Sequence, residues 1–231
     1  MIGYYDYTVI LTYLSLLSAT TGIVVALSGG GHPYYGCFFL LFSGLCDAFD
    51  GKVARTKMVR TRAEMNFGIQ IDSLSDLVAF GVLPACIGTA LIRVSPLINA
   101  ALMGISIPWH IAAGRFLLHA VLVLYVLTAM IRLAYFNVTE QERQENESGA
   151  RKEYLGLPVT SAALIFPCVL LMQYILPTDI TLVYLGVAVL TGLLFISPFR
   201  MRKPGMQGIL IMVGIGALEF LLLLLWKVIF K

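Results

Sequence analysis

Long apolar runs alternate with short polar connections along the chain, and the runs recur at lengths that suit a lipid bilayer. A hydrocarbon core about 30 Å thick needs roughly 20 mostly apolar residues per helix. Such runs occupy residues 8–27, 35–46 (continued by a polar extension), 69–92, 116–138, 157–176, 180–197 and 207–230. The stretch 95–115 holds Pro96, Pro108, Trp109 and His110. It is too interrupted for a span and predicts an interfacial or re-entrant segment. The pattern therefore predicts an all-α, polytopic integral membrane bundle of about seven transmembrane helices, within a range of six to eight. The first seven residues carry no Lys or Arg, and no small-residue cleavage site follows the first run. An uncleaved first helix is expected.

Composition reinforces this picture. Of 231 residues, 59% are hydrophobic and only 13% charged, where soluble domains carry about 25% charged residues. The mean hydropathy is +0.87. A disordered chain and a secreted disulfide scaffold are excluded, and a net charge of +3 gives no reason to expect a nucleic-acid partner. Cys37, Cys46, Cys86 and Cys168 lie in apolar stretches without a Cys-x-x-Cys pair. They read as small packing residues, with neither a zinc site nor a disulfide framework.

Charge placement adds an orientation. With the segment after the second run on the cytoplasmic side, twelve of the sixteen Lys and Arg residues fall on that side. This is the asymmetry the positive-inside rule predicts. The mixed acidic and basic stretch 140–153 then reads as a solvated cytoplasmic loop.

Candidate chemistry is concentrated between Asp47 and Asp76. Asp47 and Asp50 stand three residues apart near the end of the second run, and Asp72 and Asp76 four apart in the third. Each spacing puts both carboxylates on one helix face. A cytoplasmic connection makes the two helices antiparallel neighbours, so both pairs fall at a similar depth near the inner interface. Four facing aspartates repel in a low-dielectric site and call for a neutralising partner. All-oxygen ligands suit magnesium, manganese or calcium, and two cations for four carboxylates match a clamp for phosphoryl transfer. Intramembrane acids also serve as ion-pair partners or line a proton or cation path in a transporter, and the paired spacing alone leaves these alternatives open. The neighbouring residues favour a phosphate ligand. Gly51 and Gly68 allow close approach, Ala54 keeps the same wall low, and Arg55 offers a planar fork for phosphate.

The residues Asp47-Ala-Phe-Asp50-Gly51-Lys-Val-Ala54-Arg55, followed by Gly68-Ile-Gln-Ile-Asp72-Ser-Leu-Ser-Asp76, resemble the signature of the CDP-alcohol phosphotransferase family at all eight of its fixed positions. One departure is the twelve-residue gap between Arg55 and Gly68, longer than the usual family gap by about one helical turn. It predicts a longer cytoplasmic extension carrying Lys57, Arg60, Arg62 and Glu64. Within the family, Asp72 to Ala85, Ile131-Arg132-Leu-Ala-Tyr-Phe-Asn137 and Gly156-Leu-Pro158-Val resemble the serine-using branch, the phosphatidylserine synthases. The likeness covers residues 1–198 as a catalytic domain and leaves 199–231 as an additional C-terminal helix.

The resemblance implies attack of the serine hydroxyl on the phosphatidyl phosphorus of CDP-diacylglycerol, with release of CMP. It implies two divalent cations, Mg2+ or Mn2+ with Ca2+ as another occupant, on Asp47, Asp50, Asp72 and Asp76. Asp76 would be the general base. Gly51, Ala54, Arg55, Gly68 and Thr12 would contact CDP, although Val9 stands where similar proteins often carry an Asn. Arg132 would bind the serine carboxylate and Asn137 would orient the substrate. A homodimer in the cytoplasmic membrane, with its active site facing the cytoplasm, completes the expectation. Sister enzymes that use glycerol 3-phosphate or inositol phosphate are the nearest alternative.

Other polar residues read more plainly. Lys57, Arg60 and Arg62 are expected as inner-interface anchors near anionic lipid. His32, His110 and His119 fall on or toward the outer side, away from the aspartates. Ser73 and Ser75 are expected to bond to helix backbone and not to act as nucleophiles, because no His or Lys base neighbours them.

Overall fold

The computed structural model describes residues 3–28, 33–103, 108–146, 153–175, 178–202 and 206–229. Its helices are α1 (Ile10–Leu27), α2 (Pro33–Ala54), α3 (Arg62–Asp76), α4 (Leu83–Val94), α5 (Pro96–Met103), α6 (Pro108–Asn146), α7 (Ala162–Ile175), α8 (Thr181–Ile196) and α9 (Met206–Ile229). Each of the seven apolar runs falls mostly on helix among the described residues. Three stretches among the described residues are long and apolar enough to cross a membrane: Tyr7–Leu27, Arg62–Val94 and Ala113–Arg143. Shorter apolar helices lie at Val159–Gln173, Thr181–Ile196 and Leu210–Leu222. The observed architecture is an all-α bundle whose apolar helices suit a membrane. The interrupted stretch 95–115 resolves into the eight-residue α5 and the start of α6, and α5 is about 12 Å long, too short to cross. Residues 104–107 and His32 lie outside the described residues.

α1 and α2 pack through small and hydroxyl residues, the usual substitute for a hydrophobic driving force between helices in lipid. Ser43 donates to the Ser15 carbonyl at 3.0 Å and Ser15 to the Ser43 carbonyl at 3.4 Å, while Ser18 donates to the Phe39 carbonyl at 2.8 Å. A Cβ on Gly22 would stand 2.7 Å from the Phe39 Cβ, so only glycine permits this approach. These contacts fix the depth of α2 against α1.

α3 starts where the sequence supplies a reciprocal cap. Thr61 Oγ1 accepts from the Glu64 amide at 3.2 Å, and the Thr61 amide donates to Glu64 at 2.7 Å. The helix runs on into α4 through a π-helical segment, Leu77–Val82, in which the Leu83 amide reaches the Val78 carbonyl. Pro84 explains the widening. It has no N–H to give the Phe80 carbonyl four residues back, and the Tyr125 hydroxyl donates there at 2.6 Å. Tyr184 likewise donates to the Pro84 carbonyl at 2.7 Å. Tyr125, Phe166, Tyr184 and Phe195 stack in an aromatic core with ring centroids 4.8–5.7 Å apart. That core holds α6, α7 and α8 against the segment directly behind Asp76.

One feature of the fold has no counterpart in the apolar pattern. β1 (Glu153–Leu155) pairs antiparallel with β2 (Arg200–Arg202), with Tyr154 opposite Met201. The chain leaves β1 through Gly156, whose φ of +73° and whose Cβ position 2.9 Å from the Phe195 carbonyl exclude other residues without strain.

Candidate active site

The last turns of α2 and the C-terminal half of α3 bring the carboxylates together. One oxygen each from Asp47, Asp50 and Asp72 can be chosen so that all three lie within 4.8 Å of one another. The Asp76 carboxyl stands beside that of Asp47, as Asp72 stands beside Asp50. Asp50 and Asp76 are each only 8% exposed. Unit charges 4.8 Å apart repel by about 3–4 kcal/mol at an effective dielectric near 20. Such a cluster persists only with bound cations or shared protons. Its donor set is all carboxylate oxygen, the chemistry that suits a hard divalent ion.

α1 steadies this cluster from behind. Thr12, expected to touch the nucleotide, donates its hydroxyl to Asp50 at 3.3 Å, and Ser75 donates to the Thr12 carbonyl at 3.2 Å. The Gly51 amide also donates to Asp50. Ser73 accepts from Asn137 at 2.7 Å. Ser75 therefore bonds to helix backbone as expected, though that of α1, while Ser73 bonds to a side chain of α6.

The small residues of the motif carry guanidinium groups above them. A Cβ on Gly51 would stand 3.6 Å from Arg55 Nη1, and one on Gly68 would stand 3.2 Å from Arg60 Nη2. Arg60 Nη1 donates to the Ala54 carbonyl at 3.3 Å. Arg60 was expected as an interface anchor; instead it folds back between Ala54 and Gly68.

From Asp47, Asp50, Gly51 and Arg55 a cavity of about 620 Å³ opens between α2, α7 and α9. Its polar end is the aspartate motif. Its remaining walls are mostly apolar, including Leu41, Leu45, Ala163, Leu164, Met212 and Phe220. A charged head and a hydrocarbon tail on one ligand would both find matching surroundings here.

Residues 8–197 match the family described as CDP-alcohol phosphatidyltransferase. The chain belongs to that family. Among similar curated proteins, a CDP-diacylglycerol–serine O-phosphatidyltransferase of Helicobacter pylori is 33% identical over 167 residues, 71% of this chain and 59% of the relative. One of the same name from Saccharomyces cerevisiae is 32% identical over 163 residues, 66% of this chain and 50% of the relative. An archaetidylserine synthase of Methanothermobacter thermautotrophicus is 30% identical over 179 residues, 77% of this chain and 64% of the relative. The chain thus spans about 59% of the length of the first of these relatives.

In this member of the family, the long α2–α3 connection forms part of the site's rim. Lys57 bridges Asp6 at 2.7 Å and Glu64 at 2.8 Å, and Thr56 donates to the Tyr7 hydroxyl at 3.2 Å. The strap ties the segment before α1 to the start of α3. The Lys57 ammonium, helped by Thr8, holds the Asp6 carboxyl at about 2 against an ordinary 3.8. The strap therefore contributes above the ordinary value and is lost as pH falls toward 2.

Arg132 and Asn137 both sit on α6. Arg132 is 5% exposed, donates from Nε to the Leu157 carbonyl at 3.2 Å and lies over the Phe136 ring. That burial is not the posture of a side chain reaching for the lipid surface. His119 bonds to the Arg115 carbonyl within α6, away from the motif.

Proposed function

We propose that the protein is a phosphatidylserine synthase that transfers the phosphatidyl group of CDP-diacylglycerol directly to L-serine. The observation that carries this proposal is the continuity of the aspartate cluster with the 620 Å³ amphipathic cavity. The names of the relatives support the choice of substrates.

In this account the apolar walls of α2, α7 and α9 take the acyl chains and hold the lipid's diphosphate at the aspartates. Residues 1–198 form the catalytic unit, and the helix within 199–231 adds a wall to the lipid cavity. Gly51, Ala54, Arg55 and Gly68 receive the CDP moiety, with Arg55 forking to phosphate oxygens. Thr12 contacts the CDP moiety beside them and also fixes Asp50. Asp47, Asp50, Asp72 and Asp76 would hold two divalent cations, Mg2+ or Mn2+, with Ca2+ as a further occupant. When bound, these would neutralise the diphosphate and the charge growing on departing CMP.

Asp76, buried on α3, removes the proton from the serine hydroxyl. The serine oxygen then bonds to the phosphatidyl phosphorus as the bond from that phosphorus to the CMP oxygen breaks. Phosphatidylserine and CMP result. The buried guanidinium of Arg132 pairs with the serine carboxylate, and Asn137, held by Ser73, orients the amino acid. Ser73 and Ser75 are committed to Asn137 and Thr12, which supports direct transfer without a covalent serine intermediate. The Lys and Arg asymmetry supports a site facing the cytoplasm in the cell membrane, and the family resemblance supports a homodimer.

The test is purified protein supplied with CDP-diacylglycerol and, separately, labelled serine, glycerol 3-phosphate or inositol phosphate. Labelled lipid is expected only with serine, with one CMP released per lipid formed. Label entering lipid from glycerol 3-phosphate and not from serine would overturn the acceptor assignment.

A further inference from the structure

The α2–α3 connection places a second arginine in the nucleotide cleft. Its guanidinium lies one turn to the cytoplasmic side of the aspartates, between Ala54 at the end of α2 and Gly68 on α3. Nη1 donates to the Ala54 carbonyl at 3.3 Å, and Nη2 is 3.2 Å from where a Gly68 Cβ would be. Nε is buried and has no hydrogen-bond partner among the described residues. A guanidinium has only donors, so its open positions require an acceptor from elsewhere. A helix C-terminal carbonyl explains one of these donors and leaves the rest.

The location limits what that acceptor can be. The acyl chains extend from the aspartates into the apolar cavity, so the nucleoside end must leave the diphosphate toward the cytoplasm. One helical turn in that direction is the Ala54–Gly68 gap. We infer that Arg60 is a nucleotide-binding residue that grips the CMP half of CDP-diacylglycerol through its phosphate oxygens or cytosine carbonyl. Arg60 and Arg55 then approach the nucleotide from two sides, one over each glycine of the motif. This inference rests on the proposed use of a CDP-lipid. It also gives the long spacing between Arg55 and Gly68 a purpose, since Arg60 lies within it.

The experiment compares wild type, Arg60→Gln, Arg60→Lys and Arg62→Gln. It measures binding of labelled CMP by equilibrium dialysis and the KM for CDP-diacylglycerol and for serine. Arg60→Gln is expected to weaken CMP binding and raise the CDP-diacylglycerol KM by about tenfold, with the serine KM unchanged. Arg60→Lys should recover only part of the loss, because an ammonium cannot fork. Arg62→Gln, at the exposed start of α3, should match wild type.

Unchanged CMP affinity in folded Arg60→Gln would overturn the inference and leave Arg60 as a cap on α2. Tighter CMP binding would also overturn it by making Arg60 a plug. If Arg60→Gln does not fold, Arg60→Lys decides: wild-type CMP affinity there counts against a forked contact. A wild type that binds CMP but transfers no lipid would sink the functional proposal and not the role of Arg60. A wild type that does not bind CMP would sink the role of Arg60.

Discussion

Asp76→Asn is expected to lower kcat by about 10²–10⁴-fold while moving the KM for CDP-diacylglycerol by no more than about threefold. Asparagine keeps the volume and one carbonyl oxygen of Asp76 but cannot take a proton. Asp76 is as buried as Asp50, and its carboxyl stands beside Asp47. The other three aspartates and the glycine floor remain in the variant, so lipid binding survives. Steady-state kinetics in mixed micelles separates the two parameters. An Asp76→Asn protein with near-normal kcat would assign the proton to another group. A matched rise in KM would make Asp76 a binding residue first.

Asp50→Asn is expected to reduce kcat/KM by about 10³-fold or more. Asp50 is the most heavily supported carboxylate of the cluster, accepting from Thr12 and from the Gly51 amide and touching Asp72. Loss of its charge removes one of the few groups able to draw a divalent ion into a buried site. Combining Asp50→Asn with Asp47→Asn should add little further loss, because residues that act as one unit are strongly non-additive. Multiplying losses, measured as a double-mutant cycle on kcat/KM, would show instead that the two carboxylates work independently.

The helices and the aspartates were legible in the sequence because both depend on local periodicity. Apolar runs of bilayer length specify helices wherever they lie, and spacings of three and four put carboxylates on one face. The bounds moved outward at α3 and α6, where the Thr61–Glu64 cap and charged cytoplasmic turns extend helices beyond their apolar stretches. What the sequence did not reveal depends on contacts between distant segments. Pairing of β1 with β2 involves three residues on each side, too few for an alternation to register. Arg60 read as an anchor because a charge near an inner interface usually is one, and only the fold places it over Gly68. The bond from the Thr12 hydroxyl to Asp50 joins residues 38 positions apart, which no pattern within α1 announces. The contribution of α9 to the cavity depends on its docking against α2 and α7, where a Cβ on Gly216 would stand 3.3 Å from Leu164. No pattern within α9 itself announces that partner.

The most direct test of the central claim is CMP release from CDP-diacylglycerol and serine by purified protein before chelation, after it, and after restoring Mn2+ or Mg2+. Release that stops on chelation and returns with the added cation is the predicted result. Release undiminished by thorough chelation would contradict the account.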